Sequence, residues 1–118
     1  MKYDLCLHLD AKDPAILGLV LRNAQNYLNA LPDEAFQLDV VANGGGATLF
    51  AGEGPDFEDL KAKVAALMQH GVRFKICANA LAEHEVAHES LWPGCEVVPA
   101  GLVEVVRLQR QGFAYIKP

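Results

Sequence analysis

Three cysteines, four histidines and a triglycine run are the parts of this 118-residue sequence that could do chemistry. Cys77 closes a predicted strand, Arg73 to Cys77, shortly before a predicted helix. Free N–H groups and the helix dipole at such a junction favour the thiolate, which is the nucleophilic form. The position also suits a buried small apolar side chain, since free cysteine is among the most buried residue types. His8 could hold positive charge or shuttle a proton beside the thiol. Cys6 lies mid-strand between leucines and reads as core. Cys95 follows Pro93-Gly94 in a loop, as a resolving thiol or a bystander.

Two further motifs compete with the thiol. Gly44-Gly45-Gly46 lacks the G-x-G-x-x-G spacing, because Leu49 stands where the third glycine belongs, and no Lys-Ser/Thr follows as in a P-loop. The run fits a tight backbone turn that exposes N–H groups to a small anion. His84-Glu85-Val86-Ala87-His88 matches H-E-x-x-H on a predicted helix, where residues four apart share a face and could both ligate zinc. The extended protease form fails: Leu91 replaces its glycine and Gly94 its third histidine. A solvated polar helix face explains the same residues.

The elements that must position these groups alternate between period 2 and period 3.6. A first strand places Tyr3, Leu5, Leu7 and Leu9 on one face and Asp4, Cys6 and His8 on the other. Asp13-Pro14 starts a helix, with Asp as cap and Pro in the first turn, and Pro32-Asp33 ends it. A strand over 37–42 runs into the glycine loop and a short apolar turn, Ala47 to Ala51. A helix from Asp56 closes at Gly71. After the strand ending at Cys77, a helix is predicted over Ala80 to Leu91. A short strand Glu96-Val97-Val98 follows, then a last helix from Gly101 to Gly112 and a strand over 113–116. This is a β-α-β-α-β-α-β-α-β order suited to right-handed parallel crossovers, in one domain spanning 1–118. In such a sheet ligands bind outside the carboxyl ends of the strands. That edge collects His8, Asn43 with Gly44 and Gly45, Cys77 with Asn79, and Gly101.

Composition narrows the partners. Half the residues are hydrophobic (52%) and 21% are charged, as expected of a folded domain. A net charge of −5 without basic clusters argues against nucleic acid and anionic membranes. The first residues do not form a signal peptide, and no apolar stretch is long enough to span a bilayer. An odd number of widely spaced cysteines, with no C-x-x-C, points to reduced thiols in the cytoplasm.

Beyond these local readings, the whole chain resembles the DsrE/DsrF-like family of small sulfur-relay proteins. The likeness rests on Leu7-His8-Leu9-Asp10, Leu38-Asp39-Val40-Val41-Ala42-Asn43-Gly44 and Gly71-Val72-Arg73-Phe74-Lys75-Ile76-Cys77-Ala78-Asn79. It continues through Val97-Val98-Pro99-Ala100-Gly101-Leu102-Val103-Glu104 and Gly112-Phe113-Ala114-Tyr115-Ile116-Lys117-Pro118. The resemblance implies a three-layer α/β/α domain with a mostly parallel five-stranded sheet, assembled as a homotrimer or hexamer. It implies a persulfide carried on Cys77, a pocket lined by His8, Asn43 and Asn79, and protein partners that donate and accept sulfur. No cofactor or metal is implied. Ala78 and Ala80 stand where relatives often carry Gly and Thr, which alters the pocket but keeps the thiol.

The leading expectation is a persulfide carrier or sulfurtransferase subunit using Cys77 and His8. The alternative is a non-enzymatic oligomeric module binding a small anion or a partner through Asn43, Gly44 and Gly45. A zinc hydrolase using His84, Glu85 and His88 is the third.

Overall fold

Leucines at every second position of β1 (Leu5–Leu9) face one side of the sheet, while Cys6 and His8 face the other. The computed structural model describes residues 2–118. β1 is followed by α1 (Pro14–Ala30), β2 (Leu38–Ala42), a 3-10 run (Gly44–Ala51) and α2 (Pro55–Gln69). Then come β3 (Arg73–Cys77), α3 (Ala78–Glu83), a 3-10 turn (His88–Ser90), β4 (Glu96–Val98), α4 (Gly101–Arg110) and β5 (Ala114–Ile116). Asp13 caps α1 as expected: its carboxylate accepts from the N–H of Ala15 at 2.9 Å, and Pro14 fills the first turn.

All strand pairs are parallel, in the order β4-β3-β2-β1-β5. The chain steps outward from β1 to β4, and α4 then returns it to the far side of β1. Right-handed crossovers therefore place α1, α2 and α3 on one face and α4 alone on the other. The result is the expected three-layer α/β/α fold, with unequal outer layers.

The two faces differ in chemistry. Under α1 to α3 lies the main core, where Leu5, Leu7, Leu9, Val40, Phe74 and Ile76 meet Leu17, Leu21, Phe50 and Trp92. Each such side chain contributes about 1.5–3 kcal/mol by burial. The indole N–H of buried Trp92 is satisfied by the Gly52 carbonyl at 3.0 Å. Under α4 a smaller core of Cys6, Val41, Val105, Leu108 and Phe113 sits beside buried charge.

Two local expectations are corrected. The glycine loop and the apolar turn form one 3-10 run starting at Gly44 (φ +53°). Gly46 donates to the carbonyls of Asp10 and Asn43, and a β-carbon there would lie 2.7 Å from the Leu9 oxygen, so the backbone itself fills that space.

The helix predicted over Ala80 to Leu91 instead spans only Ala78–Glu83. Glu85 adopts a left-handed φ of +56°. Val86 N–H bonds to Leu81 O at 2.9 Å and Glu85 N–H to Ala82 O at 3.2 Å. This is a Schellman stop with a glutamate in the usual glycine position, and Val86 is tucked against the main core. His84, Glu85 and His88 therefore share no helix face, and the zinc-protease geometry is absent. Among the described residues no three His, Cys, Asp or Glu side chains gather as a metal site. Among the same described residues no helix is long and apolar enough to cross a membrane.

Candidate functional site

The carboxyl edge of the sheet positions the reactive groups. Asn43 follows β2, Cys77 ends β3, and Gly101 opens α4. Together with Gly44 and Asn79 they line an open cleft of about 290 Å³. Glu83 is its only charged lining residue, and no lysine or arginine lines it. A larger hollow of about 430 Å³ lies at the opposite edge, between the end of α1 and the 70–72 turn, but holds no cysteine or serine.

Asn43, Cys77 and Ala100 precede the 3-10 run, α3 and α4 respectively, and none closes its helix with a side-chain cap. The N-terminal ends of α3 and α4 thus both border the cleft, with the ten-residue α4 offering the longer aligned dipole. Cys77 is 6% exposed. Its β-carbon lies where a side chain at position 101 would crowd it, so glycine at 101 is what lets α4 approach.

His8 is buried on the α4 face but does not line the cleft. Its Nδ1 lies 2.6 Å from the Tyr115 hydroxyl and its Nε2 lies 2.8 Å from Asn43 Oδ1. An amide oxygen only accepts, so Nε2 carries a hydrogen, and in a ring with a single N–H the Nδ1 then accepts from Tyr115. With both ring nitrogens engaged, His8 reaches the cleft through Asn43 and not directly. Gly45 also falls outside: a β-carbon there would lie 2.8 Å from the Lys12 Cβ.

Sequence reasoning missed Tyr115 as a site residue. The signal was available in principle: β5 pairs with β1, Tyr115 standing opposite Cys6, so period 2 puts Tyr115 on the same face as His8. Its discovery required knowing which strand β5 joins.

The other two cysteines differ from Cys77. Burial, reinforced by the Asp39 and Glu104 carboxylates, pushes the Cys6 thiol up to about 12. Burial alone does the same for Cys95, which packs half-buried against the main core.

Beside Cys6 a charge cluster anchors α4. Lys75 Nζ lies 2.7 Å from Glu104 Oε2 on α4 and 2.8 Å from Asp39 Oδ2, the second an ion pair without hydrogen-bond alignment. Arg73 reaches Asp39 at 3.1 Å, and Arg107 Nε reaches Glu104 at 2.9 Å. Hydrogen bonding from Arg107, then Lys75, holds the Glu104 carboxyl down at about 2 against the opposing effect of burial. Burial alone would favour neutral Lys75, but the two carboxylates outweigh it and raise its pKa.

Comparison with known proteins sets this arrangement in context. The model of the DsrE/DsrF-like family matches residues 4–118. MTH1491 from Methanobacterium thermoautotrophicum, a protein of unknown function, is 30% identical. The match covers 98% of this chain and 99% of that one, with a TM-score of 0.87. The ychN protein from E. coli is 15% identical, with coverage of 98% and 99% and a TM-score of 0.71. BT1422 from Bacteroides thetaiotaomicron, a conserved protein of unknown function, is 13% identical, with coverage of 98% and 94% and a TM-score of 0.70. The last two share the fold alone. No curated protein matches the chain.

Proposed function

The chain belongs to the DsrE/DsrF-like family, which is associated with sulfur relay, and from that premise we propose that it carries sulfane sulfur as a persulfide on Cys77. The observation that carries this reading is that, of the three cysteines, Cys77 alone opens on the cleft where helix N-termini converge. Cys6 and Cys95 are held as thiols by burial.

The transfer is an exchange at sulfur. The Cys77 thiolate attacks the outer sulfur of a donor persulfide, R–S–SH. The donor S–S bond breaks, R–S⁻ leaves, and Cys77–S–SH forms. An acceptor thiolate then attacks that outer sulfur and restores the Cys77 thiolate. No net oxidation occurs and no cofactor enters. First-turn N–H groups of α4 and the Asn43 amide, which border the same cleft, would stabilise the anionic sulfur. Such thiol chemistry suits a reducing compartment such as the cytoplasm.

The anion-module alternative has less support. The glycine run it relies on is packed away: Gly46 N–H is spent on the Asp10 and Asn43 carbonyls, and Gly45 faces Lys12 outside the cleft. A partner face has better support, because Leu102 (62% exposed), Val103 (67%) and Val106 (50%) form an apolar stripe on α4 starting at the cleft mouth. In our reading copies of this chain assemble there, leaving sulfur donors and acceptors to approach from the cleft side.

Mass spectrometry after incubation with a low-molecular-weight persulfide tests the carrier reading. Cys77 gains about 32 Da per sulfur, and Cys77→Ser gains none. Loading on Cys6 or Cys95 instead would overturn it.

A further inference from the structure

The hydrogen bonds behind Asn43 run outward to the surface. Tyr115 is 37% exposed on edge strand β5, and its ring lies 5.6 Å from that of His8, tilted by 55°. The register Cys6↔Tyr115 brings its hydroxyl diagonally onto His8, two residues further along β1. The next register, His8↔Val41, likewise sets His8 diagonally against Asn43, two residues beyond Val41. Lys117 fastens the end of this segment by pairing with Asp10 at 2.8 Å.

An amide has two ends of opposite polarity, and which end faces the cleft decides what Asn43 does to an anionic sulfur. With its oxygen on His8, the group left for the cleft is the nitrogen, a donor. Turned end for end, Asn43 would present an acceptor that repels a thiolate or persulfide anion. A neutral imidazole alone does not choose, because either ring nitrogen can hold the hydrogen. The phenol does choose. Its O–H is a better donor than its oxygen is an acceptor, so Nδ1 becomes the acceptor and Nε2 must donate, which demands the amide oxygen.

We infer that Tyr115 is a positioning residue for the Cys77 cleft: through His8, its hydroxyl holds the Asn43 amide with the oxygen inward and the nitrogen toward Cys77. This rests on the reading of Cys77 as the sulfur-bearing group.

Nitrogen-15 NMR of labelled wild-type protein reads the His8 ring directly. The expected pattern is a protonated Nε2 and an unprotonated Nδ1; a protonated Nδ1 with bare Nε2 overturns the inference without any variant. In Tyr115→Phe, which keeps the ring, His8 is expected to become a mixture of tautomers. Alkylation of Cys77 by iodoacetamide at pH 7 is expected to slow by about fivefold, the scale of one hydrogen bond. An unchanged His8 pattern overturns the inference, and so does a changed pattern with an unchanged alkylation rate. Neither readout uses a sulfur donor, so failure of the carrier reading in the persulfide experiment is distinguishable from failure here.

Discussion

Gly101 lies against Cys77 so closely that a β-carbon at position 101 would fall 3.3 Å from the Cys77 Cβ and 2.8 Å from the Asn43 Cβ. The first turn of α4 meets the cleft only because that position is bare. Gly101→Ala gains helix propensity but forces either α4 or Asn43 to move. Overpacking of this kind costs about 1–3 kcal/mol. We expect a lowered urea midpoint and at least a tenfold loss of sulfur loading on Cys77. Loading at the wild-type rate would show that close approach of α4 is not needed.

The ion cluster beneath α4 predicts how stability depends on pH. Glu104 titrates at about 2 in the fold against an ordinary 4.5, so its contribution is fully present above 4.5 and is lost as pH falls toward 2. Lys75 is raised, so its contribution is present below its ordinary 10.5 and is lost as pH climbs through its folded value. Denaturant midpoints should hold across neutral pH and fall at both extremes, with an acid limb on the order of 3 kcal/mol from Glu104. Glu104→Gln should flatten the acid limb specifically.

Removing the cation should do more damage than titrating either acid. Lys75→Met leaves Asp39 and Glu104 buried, with only the half-exposed Arg73 and Arg107 to compensate. Breaking a buried pair from one side costs about 3–5 kcal/mol. Urea unfolding is expected to show that loss, and a change below 1 kcal/mol would mean that Lys75 is dispensable to α4.

What could be read from sequence divides along physical lines. Alternation gave the two faces of β1, and Asp13-Pro14 gave the start of α1, because both are local signals. The rule that parallel sheets bind at their carboxyl edge collected Cys77, Asn43, Gly44, Asn79 and Gly101, which line one cleft, together with His8 and Gly45, which do not. Tyr115 was not collected, since its role depends on β5 joining β1, a long-range pairing no local pattern encodes. His8 was expected to line the thiol's pocket, and it stands behind Asn43 instead, because chain position does not reveal which side chain comes between. The α3 end was missed because glutamate seldom takes a left-handed φ, and its spacing with His84 and His88 imitates a helical motif.

That left-handed glutamate offers a stabilising change. Glu85 holds φ +56° at the stop of α3, where glycine would sit without strain. Glu85→Gly is expected to raise stability by about 0.5–1 kcal/mol while leaving loading of Cys77 unchanged. Purified wild-type protein should also bind no zinc with stoichiometry set by His84 and His88, because those side chains share no helix face. Stoichiometric zinc lost in His84→Ala would contradict the described turn.

The three thiols should separate cleanly in a native alkylation map. Cys6 and Cys95 both titrate at about 12, so at pH 8 only about one molecule in ten thousand carries either as thiolate. Both also pack against cores, which restricts approach of the reagent. Iodoacetamide followed by peptide mapping should therefore mark Cys77 first, with Cys6 and Cys95 labelled only after unfolding in urea. Cys6→Ser, which puts a hydroxyl among Val41, Val105 and Leu108, should lower stability by about 1–3 kcal/mol yet leave Cys77 labelling intact. Labelling of Cys95 ahead of Cys77 in the folded protein would shift the reactive centre to the loop after Pro93-Gly94. The cleft at Cys77 would then be a packing feature without a nucleophile.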